Sequence, residues 1–260
     1  MEEITDIDEI LSEIDRIVSP NRVLQPEQVI LRCITFFDVA LRKSNPSTLD
    51  FKKINKSLCS LLKICNGDLS FQCSISISKH LITIFKMQKS PPFEETMNEL
   101  LKTMTPSSIV AIGDLCSEFG EMKAEIVYKS INSLKNQINN YETFYSLQRI
   151  FRGWQKIDLS QFAYPIYQII VKNYATHGPF EIIAFKLLRS LIPIDNRLPK
   201  LSADFAESIL KKNNISQFVR NEAIKLAAKS ALYSNYNDAF NILQRVMRNQ
   251  NYHSSSNAPL

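Results

Sequence analysis

The sequence predicts an all-α protein, an α-solenoid of HEAT/armadillo-like antiparallel helix pairs. Three observations carry that prediction. Apolar residues recur at spacings of three and four along most of the 260 residues, which is the period of amphipathic helices. Only 5 glycines stand against 11 prolines, and the prolines fall mostly between apolar segments, as in helices joined by short loops. Grouped in pairs, the helices start near residues 26, 69, 106, 140, 178 and 215. A helix pair returning every ~34–47 residues is the arithmetic of tetratricopeptide, HEAT or armadillo repeats. The tetratricopeptide pattern of Trp, Leu-Gly and Tyr is absent, which leaves the looser HEAT type. One pair cannot bury its own stripe, so pairs stack into a curved rod with extended surface. A compact helical bundle is the competing architecture.

The elements follow in order. Ile4, Ile7, Leu11, Ile14 and Val18 form the narrow seam of an acidic helix that Ser19-Pro20-Asn21 stops. Ile30, Cys33, Ile34, Phe37 and Leu41 make the next stripe; Ile54, Leu58, Leu61, Leu62 and Cys65 follow, closed by Asn66-Gly67-Asp68. Residues 69–86 carry both a strand alternation and a helical stripe through Leu69, Cys73, Ile77, Leu81 and Ile84. Length decides for helix. Pro91-Pro92 opens a helix bearing Phe93, Met97, Leu100, Leu101 and Met104; Pro106 opens another, with Ile109, Ile112, Cys116 and Phe119. Stripes through Val127–Ile138, Phe144–Trp154 and Phe162–Ile170 come next, the last with Pro165 in its first two turns. Helices near 179–192, 200–212, 215–233 and 236–249 complete the series. In the last, Tyr236, Phe240, Leu243 and Met247 are expected to face inward. The resulting division is an N-terminal capping helix over 1–18, about six helix pairs over 26–249, and a disordered tail over 250–260.

Composition excludes several function classes. Residues 1–15 carry seven acids and no base, which is not a secretory signal, and the apolar stretch near Leu159–Val171 is too short to span a bilayer. Five cysteines without a CxxC pair read as buried reduced thiols of a cytoplasmic protein. Net charge is +5, but the basic residues are scattered as singles and doublets, which suits solvated helix faces better than a nucleic-acid groove. His80, His177 and His253 have no partner at metal-ligand spacing, and no phosphate loop, nucleophile elbow or zinc-helix motif occurs. Glu94-Glu95 opens a helix, where acids complement its dipole. The reading is therefore of a protein without catalytic residues, cofactor, metal or small-molecule substrate.

Candidate partner-binding residues are few. Trp154 is the only tryptophan; it is either a hot-spot anchor or a core residue at helical spacing from Phe151 and Leu147. Ile7, Leu11 and Ile14 form a seam that either caps the stack or docks a partner helix.

Residues 1–195 resemble the N-terminal region of the HEAT-repeat-containing protein 5 family, large cofactors of clathrin-adaptor trafficking. Cys33-Ile34-Thr35-Phe36-Phe37-Asp38-Val39-Ala40-Leu41 is similar to the family's early helix with its Phe/Leu-Asp-x-x-Leu core. Ser57-Leu58-Cys59-Ser60-Leu61-Leu62, a glycine turn and Ser78-Lys79-His80-Leu81 resemble the second helix and its lysine-bearing successor. Gly113-Asp114-Leu115-Cys116-Ser117-Glu118-Phe119-Gly120-Glu121-Met122, then Ser133-Leu134-Lys135, resembles the family's aromatic-rich helix ending in Gly-Arg-Met and the helix finishing in Ser-Leu-Lys. Glu121 stands where the family has a basic residue, the loop after Met122 is shorter, and no proline opens the following helix. The resemblance implies a cytoplasmic scaffold, peripheral on trans-Golgi and endosomal vesicles. It would support clathrin adaptors in vesicle transport, endocytosis and retrieval from endosome to Golgi through protein–protein binding. The alternative is a basic helical-repeat protein that binds nucleic acid or an anionic membrane surface.

Overall fold

The computed structural model describes residues 6–19, 27–65, 69–174, 180–212 and 214–254. Thirteen α-helices and a few short 3-10 turns make up its regular structure, with no strand among the described residues. The chain divides into two compact units, Met1–Leu134 and Lys135–Leu260.

In the first unit, α1 spans Ile7–Val18, α2 Glu27–Lys43, α3 Phe51–Ile64 and α4 Ser70–Lys86. There α5 spans Phe93–Thr103, α6 Pro106–Phe119 and α7 Ala124–Lys135. Side chains of the loops start several of them. Asp50 accepts from the Lys53 backbone N–H at 3.0 Å to open α3. Thr105 accepts from that of Ser108 at 3.2 Å, and Pro106 takes the first helical position of α6, where its missing N–H costs nothing. With glycine scarce, α5 ends on Met104 in the left-handed region, at φ 46°, a conformation that sterically favours glycine.

Packing follows two rules at once. Consecutive helices meet as α1–α2, α3–α4 and α5–α6, and alternate helices meet as α2–α4, α4–α6, α1–α3 and α3–α5. Helices α2, α4 and α6 therefore line one row and α1, α3 and α5 the other, an arrangement compatible with the stacked pairs of an α-solenoid. The sequence arithmetic grouped α2 with α3 and α4 with α5; the closer consecutive packing is one helix out of phase with that grouping. Helix α1 packs on α2 and α3, and its seam closes on both.

Helix α6 is the centre of the unit. Residues Ser107 through Cys116 are all buried, because α3, α4 and α5 each pack against it. Its polar residues are satisfied at the ends: Ser107 donates to the Cys65 carbonyl at 2.9 Å, and Thr105 donates to that of Leu62 at 3.3 Å. Buried Ser78 and Ser130 bond one turn back, to the carbonyls of Ser74 and Ile126 at 2.7 Å each, so these two enter the core without an unmet donor.

In the second unit, α8 spans Tyr141–Arg152, α9 Ser160–Lys172, α10 Glu181–Leu191 and α11 Leu198–Leu210. Helix α12 spans Gln217–Leu232 and α13 Tyr236–Ser254. The same two rows recur: α8–α10–α12 in one and α9–α11–α13 in the other, with α9–α10, α11–α12 and α12–α13 joining them. Asn140 caps α8 through the Thr143 N–H at 2.9 Å and Ser216 caps α12 through that of Val219 at 3.2 Å. Pro165 lies inside α9, as its position in the sequence required.

The last helix corrects two expectations. Helix α13 continues to Ser254, past the residue 249 at which the helices were expected to stop, and residues 255–260 lie outside the described residues. Phe240, Leu243 and Met247 do not face inward; they are 59%, 46% and 63% exposed. The Tyr236 side chain lies outside the description. Ile242 and Val246, one turn apart, are buried instead, while Arg245 between them bonds Asp204 at 3.1 Å and Glu207 at 2.8 Å on α11. Those ion pairs and the slimmer Ile/Val seam fix the rotation of α13 and turn its larger apolar residues outward.

Two outcomes test this packing. Gly113→Leu places a side chain in a helix enclosed on all sides, so it should destabilise the first unit by about 1–3 kcal/mol, read as a lower midpoint in chemical denaturation. All five cysteines are buried, and burial pushes the thiols of Cys33 up to about 11 and of Cys59 and Cys116 up to about 12. The native protein should therefore react with Ellman's reagent near pH 8 only as fast as it opens, and all five thiols should react at once in denaturant.

Candidate functional site

A concavity of about 710 Å³ lies within the second unit, along the row α8–α10–α12. Its first wall is one face of α8. Tyr141, Tyr145, Gln148 and Arg152 recur at spacings of four, three and four, so helical geometry alone aligns them, and Phe151 closes the floor. Gln155 extends this wall from the 3-10 turn Trp154–Lys156. The facing wall is α10, which brings Ile183, Lys186, Arg189 and Ser190, followed by Pro193. Lys229, near the end of α12, and Tyr233, just beyond it, close the third side.

The electrostatics of this groove are one-sided. Four cations line it and no carboxylate does. Arg189 donates to Glu222 at 2.6 Å, tying α10 to α12, and Glu222 also accepts from Lys225 at 2.7 Å. Burial alone pushes the Glu222 carboxyl up, but the bonds from Lys225 and Arg189 and their charges outweigh it and hold its pKa below the ordinary 4.5. Lys229 rests over the Tyr233 ring, 4.7 Å from its centroid. The second unit as a whole has sixteen Lys and Arg against eight Asp and Glu, a net +8; the first has fifteen against eighteen, a net −3. The positive excess of the chain thus belongs to the unit that contains the groove.

No family model, curated protein or solved structure matches the chain at a significant level. The site therefore rests on its geometry alone.

The residues singled out from the sequence lie elsewhere. Leu11 and Ile14 are 1% and 0% exposed, packed within the chain where α1 meets α2 and α3, and Ile7 is half-buried. The seam expected to cap or to dock is thus occupied inside the first unit. Trp154 begins the 3-10 turn that carries Gln155 along the groove wall; its side chain lies outside the description. His80 is buried against Phe37, ring to ring at 5.2 Å, with Asp38 at 3.9 Å from its Nδ1. Burial lowers its pKa below the ordinary 6.5 despite the opposing pull of Asp38 and of a backbone bond to Ile34, so the ring is neutral at pH 7. His177 lies outside the described residues, and so does the side chain of His253. Among the described residues no group of three His, Cys, Asp or Glu is placed to hold a metal ion, and no helix is long and apolar enough to cross a membrane.

Apart from Phe151, most groove residues lie on polar helix faces, which apolar periodicity does not mark. Two signals were present: the Tyr141–Tyr145–Gln148–Arg152 spacing, and the change in charge balance between the halves of the chain.

The ion pairs of Glu222 give a pH-dependent outcome. Its folded pKa is depressed, so its contribution to stability is present above the unfolded value near 4.5 and is lost as pH falls through the lower folded value. Glu222→Gln should cost about 1.5–3 kcal/mol at pH 7, the worth of bonds to charged groups. It should also flatten the decline in stability between pH 5 and acid, as measured by urea unfolding across that range.

Proposed function

We propose that the chain is a non-catalytic helical scaffold that works by binding other proteins. The observation that carries this reading is a groove running along three alternate helices of one row, α8, α10 and α12. Stacked helix pairs present side chains from successive repeats along one surface, and an extended partner engages several repeats together. Nothing in the groove resembles a nucleophile held by a base; its donors are guanidinium, ammonium, amide and hydroxyl groups, which suit recognition.

The setting we propose is vesicle-mediated transport between trans-Golgi network and endosomes, in support of clathrin adaptors, with the protein cytoplasmic and peripheral on vesicles. Support comes from the segments that resemble the HEAT-repeat-containing protein 5 family. They fall on α2, α3, α4, α6 and α7, and α2, α3, α4 and α6 are joined to one another by packing. The net +8 of the second unit favours one further reading, attraction to nucleic acid or to an anionic membrane surface.

Proximity labelling with the tagged full chain in its own cells separates these readings. Enrichment of coat, adaptor or vesicle proteins is the expected result. Diffuse localisation with no such protein enriched overturns the transport setting, and a labelled set dominated by nucleic-acid-binding proteins turns the balance to the second reading.

A further inference from the structure

We propose that the groove of the second unit takes an extended acidic segment of a partner protein, its carboxylates held by Arg152, Lys186 and Lys229. This rests on the scaffold reading above and names what one face of the scaffold binds.

Charge is the first argument. Several cations of the unit are matched to carboxylates: Arg197 to Asp195, Lys211 to Glu207, and Arg245 to Asp204 and Glu207. In the groove only Arg189 is so matched, by Glu222. Arg152 and Lys186 are exposed and have no carboxylate partner among the described residues, and Lys229 contacts an aromatic ring. Three cations converge on a concavity with no acid in its lining. Their repulsion is an energetic cost that an anionic ligand removes.

Size and shape indicate a segment of chain. A volume of about 710 Å³ falls in the range of roughly 300–1,000 Å³ that encloses a drug-sized molecule, so it admits a few residues and no folded domain. Gln148, Gln155 and Ser190 offer hydrogen bonds to an extended backbone, and the half-buried rings of Tyr141 and Tyr145 offer apolar contact between the charges.

The aromatic groups argue against nucleic acid. Single strands bind where ring faces are open for bases to stack. Here Phe151 is fully buried, Lys229 lies over one face of the Tyr233 ring, and Tyr141 and Tyr145 are half-buried, so none of the four groove rings stands fully open to a base. A lipid bilayer is flat and meets cations on a level or protruding face, whereas these three line a concavity.

The experiment is fluorescence anisotropy on the full chain with a labelled peptide of about twelve residues alternating Glu or Asp with Leu or Phe. Its Gln/Asn counterpart, a thymidine oligonucleotide of similar length and phosphatidylserine vesicles are compared with it. The acidic peptide should bind, weaken on going from about 50 to about 200 mM salt as screening shortens to ~8 Å, and exceed its amide counterpart by at least tenfold. Arg152→Gln with Lys186→Gln should weaken it at least tenfold while leaving the unfolding midpoint unchanged, since both side chains are exposed. Absence of binding, or equal binding by the double variant, overturns the proposal. Tighter binding of the oligonucleotide or of the vesicles through the same two residues overturns it as well. Proximity labelling with the double variant keeps the two readings apart. An unchanged set of labelled coat proteins removes the groove and leaves the scaffold; peptide binding without any coat protein labelled removes the transport setting and leaves the groove.

Discussion

The constraint on which both units depend is that each amphipathic helix carries more apolar surface than one neighbour can cover. Helix α4 shows it most directly. Its buried residues, from Cys73 through Ile77 and Leu81 to Phe85, form a broad band, and α2, α3 and α6 are all needed to enclose it. Each fully buried Leu, Ile or Phe contributes about 1.5–3 kcal/mol relative to exposure, so a helix left with one partner would forfeit several times the typical margin of a single mutation. Packing on the next helix and also on the next but one is the arrangement that meets this demand with short loops. The two rows of each unit are its consequence.

Such stacking puts polar atoms in the interior as well, and the sequence deals with them locally. Ser78, Ser130 and Ser230 each donate to the carbonyl one turn earlier. Ser107 and Thr105 instead donate across to the carbonyls of Cys65 and Leu62 at the end of α3, binding the start of α6 to that helix. At these positions small hydroxyl residues allow close approach with their own donors met. This explains how a chain so poor in glycine brings α6 into contact with three neighbours, and why Gly113 stands out as a position with no side chain at all.

Most of the helices were legible in the sequence, because apolar periodicity and capping residues are local signals. Pro106 and the start near residue 140 are reproduced by the structure, and residues 70–86 form the helix that length favoured over a strand. What was not legible depends on partners. A stripe says that a helix buries a face; it does not say whether the following or the preceding helix covers it, and so the pairs of the first unit were read one helix out of phase while α12 with α13 was read as it packs. In α13 two apolar seams compete, and bulk favoured Phe240, Leu243 and Met247. The choice was made by Arg245 reaching Asp204 and Glu207, carboxylates more than thirty residues earlier in the chain. The groove has the same origin: Tyr141 and Lys229 become neighbours only once α8, α10 and α12 are in one row.

The buried carboxylate of Glu222 links that architecture to the proposed chemistry. A lone carboxylate in its position would be desolvated at large cost, and two cations offset that cost. One of them, Arg189, comes from α10, so the pairing fixes the spacing of two helices that form the groove. Because Arg189 and Lys225 together bring two positive charges to a single negative one, the pairing that holds the wall does not neutralise it. Arg152, Lys186 and Lys229 then add to a residual positive potential and do not exhaust themselves on internal partners. A wall held by the Arg189–Glu222 pair and cationic by stoichiometry offers an anion charges that no internal carboxylate has already taken.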